Sequence, residues 1–220
     1  MRHTAKFIDA SVRHVCLTPP APTWRAVILG GVHGDEMPAR LAPAQVVRSM
    51  IFGQSFFAAP PELADCEIIV IPEAHPEACA LGLRDGDGNG DLNCSWPGGV
   101  HPQYSSEQSM TRAAAVAELL LAFRPAVVVG LHSMKGPWHT SGLLHAAPAV
   151  ARVSVDGVPL EHWEYSQKVI DLGVGLPGWA SRHGISAVEL EAPSPSLVCT
   201  ETLALTQAQT ALQLVVELSK

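Results

Sequence analysis

Trp24-Arg25-Ala26-Val27-Ile28-Leu29-Gly30-Gly31-Val32-His33-Gly34-Asp35-Glu36 is the stretch on which the fold turns. A compact apolar run that stops at a Gly-Gly pair reads as a buried strand feeding a tight turn. Pro38 stands where a first helical turn can begin, and Leu41, Val46, Val47 and Met50 supply an inward face. The same grammar recurs down the chain. Residues 67–71 (closed by Pro72), 126–131 and 186–190 are short, apolar and rich in β-branched side chains. Helical periodicity fills the intervals. Ser105, with Gln108 three residues on, reads as a capping box ahead of Ala113, Val116, Leu120 and Phe123. Thr200 reads as the cap of an amphipathic run through Ala208, Ala211, Leu212, Val215 and Leu218. Buried strands alternating with helices predict an α/β fold of three layers, α/β/α, around a mixed, mostly parallel sheet. Residues 1–23 read as a weak N-terminal strand within 7–16 and a Pro-rich lead-in, and 1–220 as a single domain.

Composition narrows the function. The chain has 220 residues, 47% hydrophobic and 16% charged, enough apolar content to bury a sizeable core. Fourteen Lys and Arg face twenty-one Asp and Glu, a net charge of −7 that argues against nucleic acid or an anionic membrane as partner. No apolar h-region follows Met1-Arg2-His3-Thr4-Ala5-Lys6, and no window approaches the length of a membrane span. The expectation is a cytoplasmic protein. Cys16, Cys66, Cys79, Cys94 and Cys199 are odd in number and widely spaced, so they read as reduced thiols, and no CxxC pair offers a thiolate metal site. The oligomeric state is not legible.

In parallel sheets the chemistry sits beyond the carboxyl ends of the strands. His33 and Glu36 are three apart just past the first strand, a spacing that aims an imidazole and a carboxylate at one point. The alternative is an exposed His33 beside a helix-capping Asp35 or Glu36. His132 follows the 126–131 run at the same edge. Two His and one Glu, with a fourth position left to water, is the open geometry of a catalytic zinc site, and one Zn²⁺ is expected. Glu189 and Glu191, two apart on the last strand, share one face, and either can serve as base for the attacking water.

GGVHGDE at 30–36, then Arg84 and Asp91-Leu92-Asn93, then Leu131-His132-Ser133, then a late strand carboxylate resemble the zinc carboxypeptidase superfamily. The similarity is greatest to the murein-peptide amidases and the succinylglutamate desuccinylase/aspartoacylase group, and the order of motifs spans residues 24 to 195. The resemblance implies a zinc carboxypeptidase-like fold with His33, Glu36 and His132 on the metal and Glu189 or Glu191 as general base. It further implies Arg84 at the oxyanion and Asn93 on a substrate carboxylate, with Cys94 and Ser133 lining the substrate pocket. The chain departs from the pattern at Cys94, which replaces an Arg, and at Gly130, which replaces an Asp. His75-Pro76 stands for Asn-Pro, and the Thr two before the base is Ala187 or Glu189. Leu190-Glu191-Ala192-Pro193-Ser194 is similar to an L-E-T-P-S stretch of some members, which favours Glu191. The activity implied is hydrolysis of amide bonds in small peptides. The alternatives are deacylation of N-acyl amino acids and a non-catalytic metal-binding role, the latter kept open by Cys94.

Other motifs fare less well. Asp85-Gly86-Asp87-Gly88-Asn89-Gly90 mimics half a calcium loop, but its twelfth position is Trp96 where a Glu is needed. No G-x-S-x-G elbow or phosphate-binding glycine loop is present. Cys94 as a nucleophile, with His101 or His132 as base, is a rival reading. His139, His145, His162 and His183 have no assigned partner. Trp138, Trp163 and Trp179 read as core or loop anchors, and Tyr165 as a polar group on a loop over the site.

Overall fold

The structure, a computed structural model, describes residues 3–53, 57–85, 90–133, 142–146, 163–164, 175–192 and 200–219. The described strands are β1 (Thr4–Ile8), β2 (His14–Thr18), β3 (Trp24–Leu29), β4 (Cys66–Ile71), β5 (Val127–Ser133), β6 (Gly142–Ala146), β7 (Trp163–Glu164) and β8 (Ser186–Ala192). They form one sheet in the order β1-β2-β4-β3-β5-β8-β6-β7. The helices are α1 (Met37–Phe52), α2 (Pro76–Leu81), α3 (Glu107–Phe123), α4 (Gly175–Arg182) and α5 (Thr200–Leu218).

The four strands expected from apolar runs are the sheet's centre. β4, β3, β5 and β8 lie side by side and all parallel. Their continuous hydrophobicity follows from burial on both faces. On one face Ala26, Ile28, Val129 and Leu190 pack against Ala42 and Val46 of α1 and Ala208 and Leu212 of α5. On the other, Val27, Leu29, Val128 and Ala187 pack against Val116 and Leu120 of α3 and Leu176 and Trp179 of α4. The period-two alternation of a strand thus separates two cores, and the layers are α/β/α as expected. Among the described residues no helix is long and apolar enough to cross a membrane.

The margins differ from the sequence expectation. The N-terminal piece is a hairpin of β1 and β2, not one strand, because residues 9–13 turn the chain back. β2 runs antiparallel to β4 and β6 antiparallel to β8, so antiparallel pairings flank the parallel centre. The cap of α3 is Ser106, one residue later than expected. Its Oγ accepts from Ser109 N at 3.1 Å, and Ser109 Oγ accepts from Ser106 N at 2.8 Å. Ser109 does the work assigned to Gln108, while Ser105 Oγ donates to the carbonyls of Cys94 and His101. α4 escaped notice because Gly-Leu-Pro-Gly-Trp-Ala-Ser-Arg reads as loop. It is helical because Leu176, Trp179 and Ala180 are buried, with Trp179 packed on Trp96 at 5.2 Å.

The turn after β3 is fitted to its surroundings. Gly31 has φ +60°, and a Cβ on Gly34 would lie 1.8 Å from the Ala78 carbonyl oxygen of α2. Gly34 N also donates to Leu83 O at 2.9 Å. Gly34→Ala must push α2 away from the turn, an overpacking cost of about 1–3 kcal/mol. Urea denaturation is expected to show the midpoint falling with the slope unchanged; an unaltered midpoint contradicts the close approach.

Candidate metal centre

Three elements deliver the centre. The Gly30-Gly31 turn brings His33 back over the carboxyl end of β3, α1 starts just past Glu36, and β5 carries His132 to the same edge. All three side chains are buried, at 2%, 3% and 2% exposure. That disposes of the exposed-histidine alternative. Glu36 occupies the N-cap position of α1, yet its side chain makes no capping hydrogen bond. It points into the centre instead.

His33 Nδ1 lies 2.7 Å from Glu36 Oε1, and His132 Nδ1 lies 3.3 Å from both Glu36 Oε2 and His33 Nδ1. One ligand atom from each residue falls within 4.8 Å of the others. Two nitrogens on one tetrahedral zinc, each bonded at about 2.0–2.1 Å, stand about 3.3 Å apart. The donor set therefore fits a zinc ion in spacing and in chemistry.

Around the three lies a charged collar. His33 Nε2 donates to Asp91 Oδ1 at 2.9 Å, which leaves Nδ1 facing the centre. Arg84 clamps both anions, Nη1 donating to Glu36 Oε1 at 3.2 Å and Nη2 meeting Asp91 Oδ2 at 3.1 Å. Ser133 contributes its backbone, whose N–H donates to Glu36 Oε2 at 3.0 Å. Burial works to raise the Glu36 carboxyl, but the imidazoles of His132 and His33 hold it well below the usual carboxylate range. Burial likewise works against charge on His132, yet Glu36 foremost, with Glu189 and Glu191, pushes it up to about 10. Glu191 is pushed up to about 7, chiefly by burial, with Glu36 and Glu189 adding and His132 opposing.

Two of the residues named from sequence lie on β8 beside the centre. Glu189 Oε1 is 3.8 Å from His132 Nε2, and Glu191 is the Cα partner of His132 across β5 and β8. Asn93 Oδ1 accepts from Trp96 Nε1 and Leu176 N, each at 3.2 Å. Cys94 lies in the same short 3₁₀ turn, Leu92–Cys94. Burial, with Asp91 and Glu189, pushes its thiol up to about 11 against the pull of Arg84. Those surroundings favour the thiol over the thiolate, which weighs against the cysteine rival. Trp179 is buried as a core anchor, and the exposed His183 lies against it with ring centroids 4.8 Å apart. The calcium-like loop at 86–89, Trp138, His139, His162, Tyr165 and Cys199 lie outside the described residues, as do the side chains of His145 and Trp163.

Two residues escaped the reading from sequence. Asp91 was noted as part of a motif, but its hold on His33 and Arg84 was not. Gln207 was missed altogether. From α5 its Nε2 donates to His132 O at 2.6 Å and to Leu190 O at 2.8 Å, tying the ends of β5 and β8 together. The available signal was its place on the buried stripe with Leu203, Ala204, Ala208 and Ala211, where an amide needs a reason. Gln207→Leu is expected to cost about 1–3 kcal/mol by stranding a buried acceptor. Chemical denaturation reads this directly, and stability within error of wild type contradicts the role.

No sequence-family profile matches the chain, and no curated protein does. Solved structures do. A metallo-carboxypeptidase from Burkholderia cenocepacia superposes with TM-score 0.71 at 14% identity, covering 97% of this chain and 64% of its own. A product-bound ectoine utilization protein from Ruegeria pomeroyi gives 0.69 at 16%, covering 93% and 61%. The succinylglutamate desuccinylase from Chromobacterium violaceum gives 0.68 at 18%, covering 96% and 66%. The chain thus spans somewhat less than two thirds of the first two and shares the zinc carboxypeptidase-like fold with all three. The fold expectation is met.

Proposed function

We propose that the chain acts as a zinc-dependent amide hydrolase, with residues 1–220 forming one metallohydrolase domain and His33, Glu36 and His132 holding a single ion. The observation that carries this is the meeting of two Nδ1 atoms 3.3 Å apart with the Glu36 carboxylate between them, all buried. When bound, zinc polarises the scissile carbonyl and brings the pKa of its water towards about 7. The chain's own residues supply the rest. A β8 carboxylate, Glu191 or Glu189, takes the proton of the attacking water and returns it to the leaving amine. Arg84, 43% exposed at the edge of the centre, turns its guanidinium to the developing oxyanion, an effect worth about 3–4 kcal/mol at comparable donors. Asn93 Nδ2 orients a substrate oxygen, while Cys94 and Ser133 line the pocket.

Short peptides are the first substrate class. N-acyl amino acids are the second, favoured by the names of the structural neighbours that are desuccinylases and a desuccinylase/aspartoacylase. A cytoplasmic setting agrees with reduced cysteines.

Purified protein is expected to carry one zinc per chain by elemental analysis. His33→Ala and His132→Ala lose it, and with it all hydrolysis of a panel of short peptides and N-acyl amino acids. Retention of full zinc in either variant refutes the ligand assignment. A zinc-loaded wild type that turns over no member of the panel leaves a metal-binding protein and overturns the hydrolase.

A further inference from the structure

The two nitrogens of His132 have different surroundings. Nδ1 faces Glu36 and His33, whereas Nε2 faces β8, where Glu189 Oε1 lies 3.8 Å away. Both Nε2 and that oxygen are buried, and neither has a hydrogen-bond partner among the described residues. Leaving two such atoms unpaired is costly, and a closure of less than an ångström joins them. Glu189 is 4% exposed. Its carboxylate lies beside Gly175 and near Asn93, at the inner end of the strand face it shares with Glu191.

The other imidazole shows the completed arrangement. His33 turns Nδ1 to the centre and donates through Nε2 to Asp91 at 2.9 Å. A ligating histidine whose outer N–H is held by a carboxylate has its tautomer and ring orientation fixed. Among the described residues, the carboxylate in that position on His132 is Glu189.

We propose that Glu189 is the positioning residue of His132, as Asp91 is of His33, and that Glu191 is the base. Glu189 accepts from Nε2–H and keeps the Nδ1 lone pair on the centre. Glu191, opposite His132 in the ladder and one strand repeat nearer the carboxyl edge, is partly exposed, as a group that receives a proton from incoming water must be. A pair of carboxylates two residues apart thereby divides into one that orients and one that moves a proton. The inference rests on the metal-centre reading above.

The test measures zinc affinity by competition with a chromophoric chelator, and the visible spectrum of the cobalt(II)-loaded protein, in Glu189→Met, Glu189→Gln and Glu191→Gln. Glu189→Met, which removes the acceptor, is expected to weaken zinc 10–100-fold and shift the cobalt spectrum. Glu189→Gln, whose amide oxygen still accepts, recovers to within about threefold of wild type, and Glu191→Gln stays at wild type on both readouts. Should Glu189→Met not fold, Glu189→Ala, which also removes the acceptor, is read on the same two measurements with the same expectation. Wild-type zinc affinity in a folded Glu189→Met or Glu189→Ala, or an equal loss in Glu191→Gln, overturns this inference alone. A wild type that binds neither metal overturns the metal reading and this inference together.

Discussion

One buried carboxylate organises this end of the molecule. Glu36 is almost wholly removed from water, a placement that is expensive for an anion unless positive or donor groups surround it. Here four do: His33 from the turn after β3, His132 and the Ser133 N–H from the end of β5, and Arg84 from the segment after α2. Three chain segments distant in sequence must therefore converge for Glu36 to be tolerated at all. Remove the carboxylate and nothing else in the described residues requires two imidazoles to approach so closely.

The scaffold makes that convergence rigid. β3 and β5 are adjacent parallel strands, so their carboxyl ends open on the same side, and β8 beside β5 adds its two glutamates there. The turn that carries His33 is pinned from outside by α2, which leaves room for nothing larger than hydrogen at Gly34. Gln207 pins the opposite side from α5. A site with its ligands at strand ends and its supports on α2 and α5 has few soft degrees of freedom, which suits preorganised chemistry.

Much of this was legible in the sequence, for identifiable reasons. The central strands announced themselves because strands buried on both faces cannot tolerate polar interruption, and the runs from Trp24, Glu67, Ala126 and Ser186 have almost none. His33, Glu36 and His132 were legible because each sits directly past such a run. The capping of α3 was misplaced by one residue because Ser105, Ser106 and Ser109 all carry hydroxyls, and only the three-dimensional reach of Ser105 to Cys94 and His101 separates them. α4 was illegible because its helicity comes from burial of Trp179 and Leu176, against its own glycines and proline. Local propensity lost there to tertiary packing. The support given by Asp91 and Gln207 depends on contacts between residues far apart in the chain, 58 positions for Asp91–His33 and 75 for Gln207–His132, which no local pattern encodes.

The central claim is that imidazoles at positions 33 and 132 and the carboxylate at 36 share one ion. X-ray absorption at the zinc edge of the purified protein addresses it most directly. The account requires a shell of two imidazole nitrogens with oxygen donors, nitrogens at about 2.0–2.1 Å, and the loss of that zinc signal in His132→Ala, which no longer holds the ion. A shell containing sulfur, or one unchanged by that substitution, contradicts it.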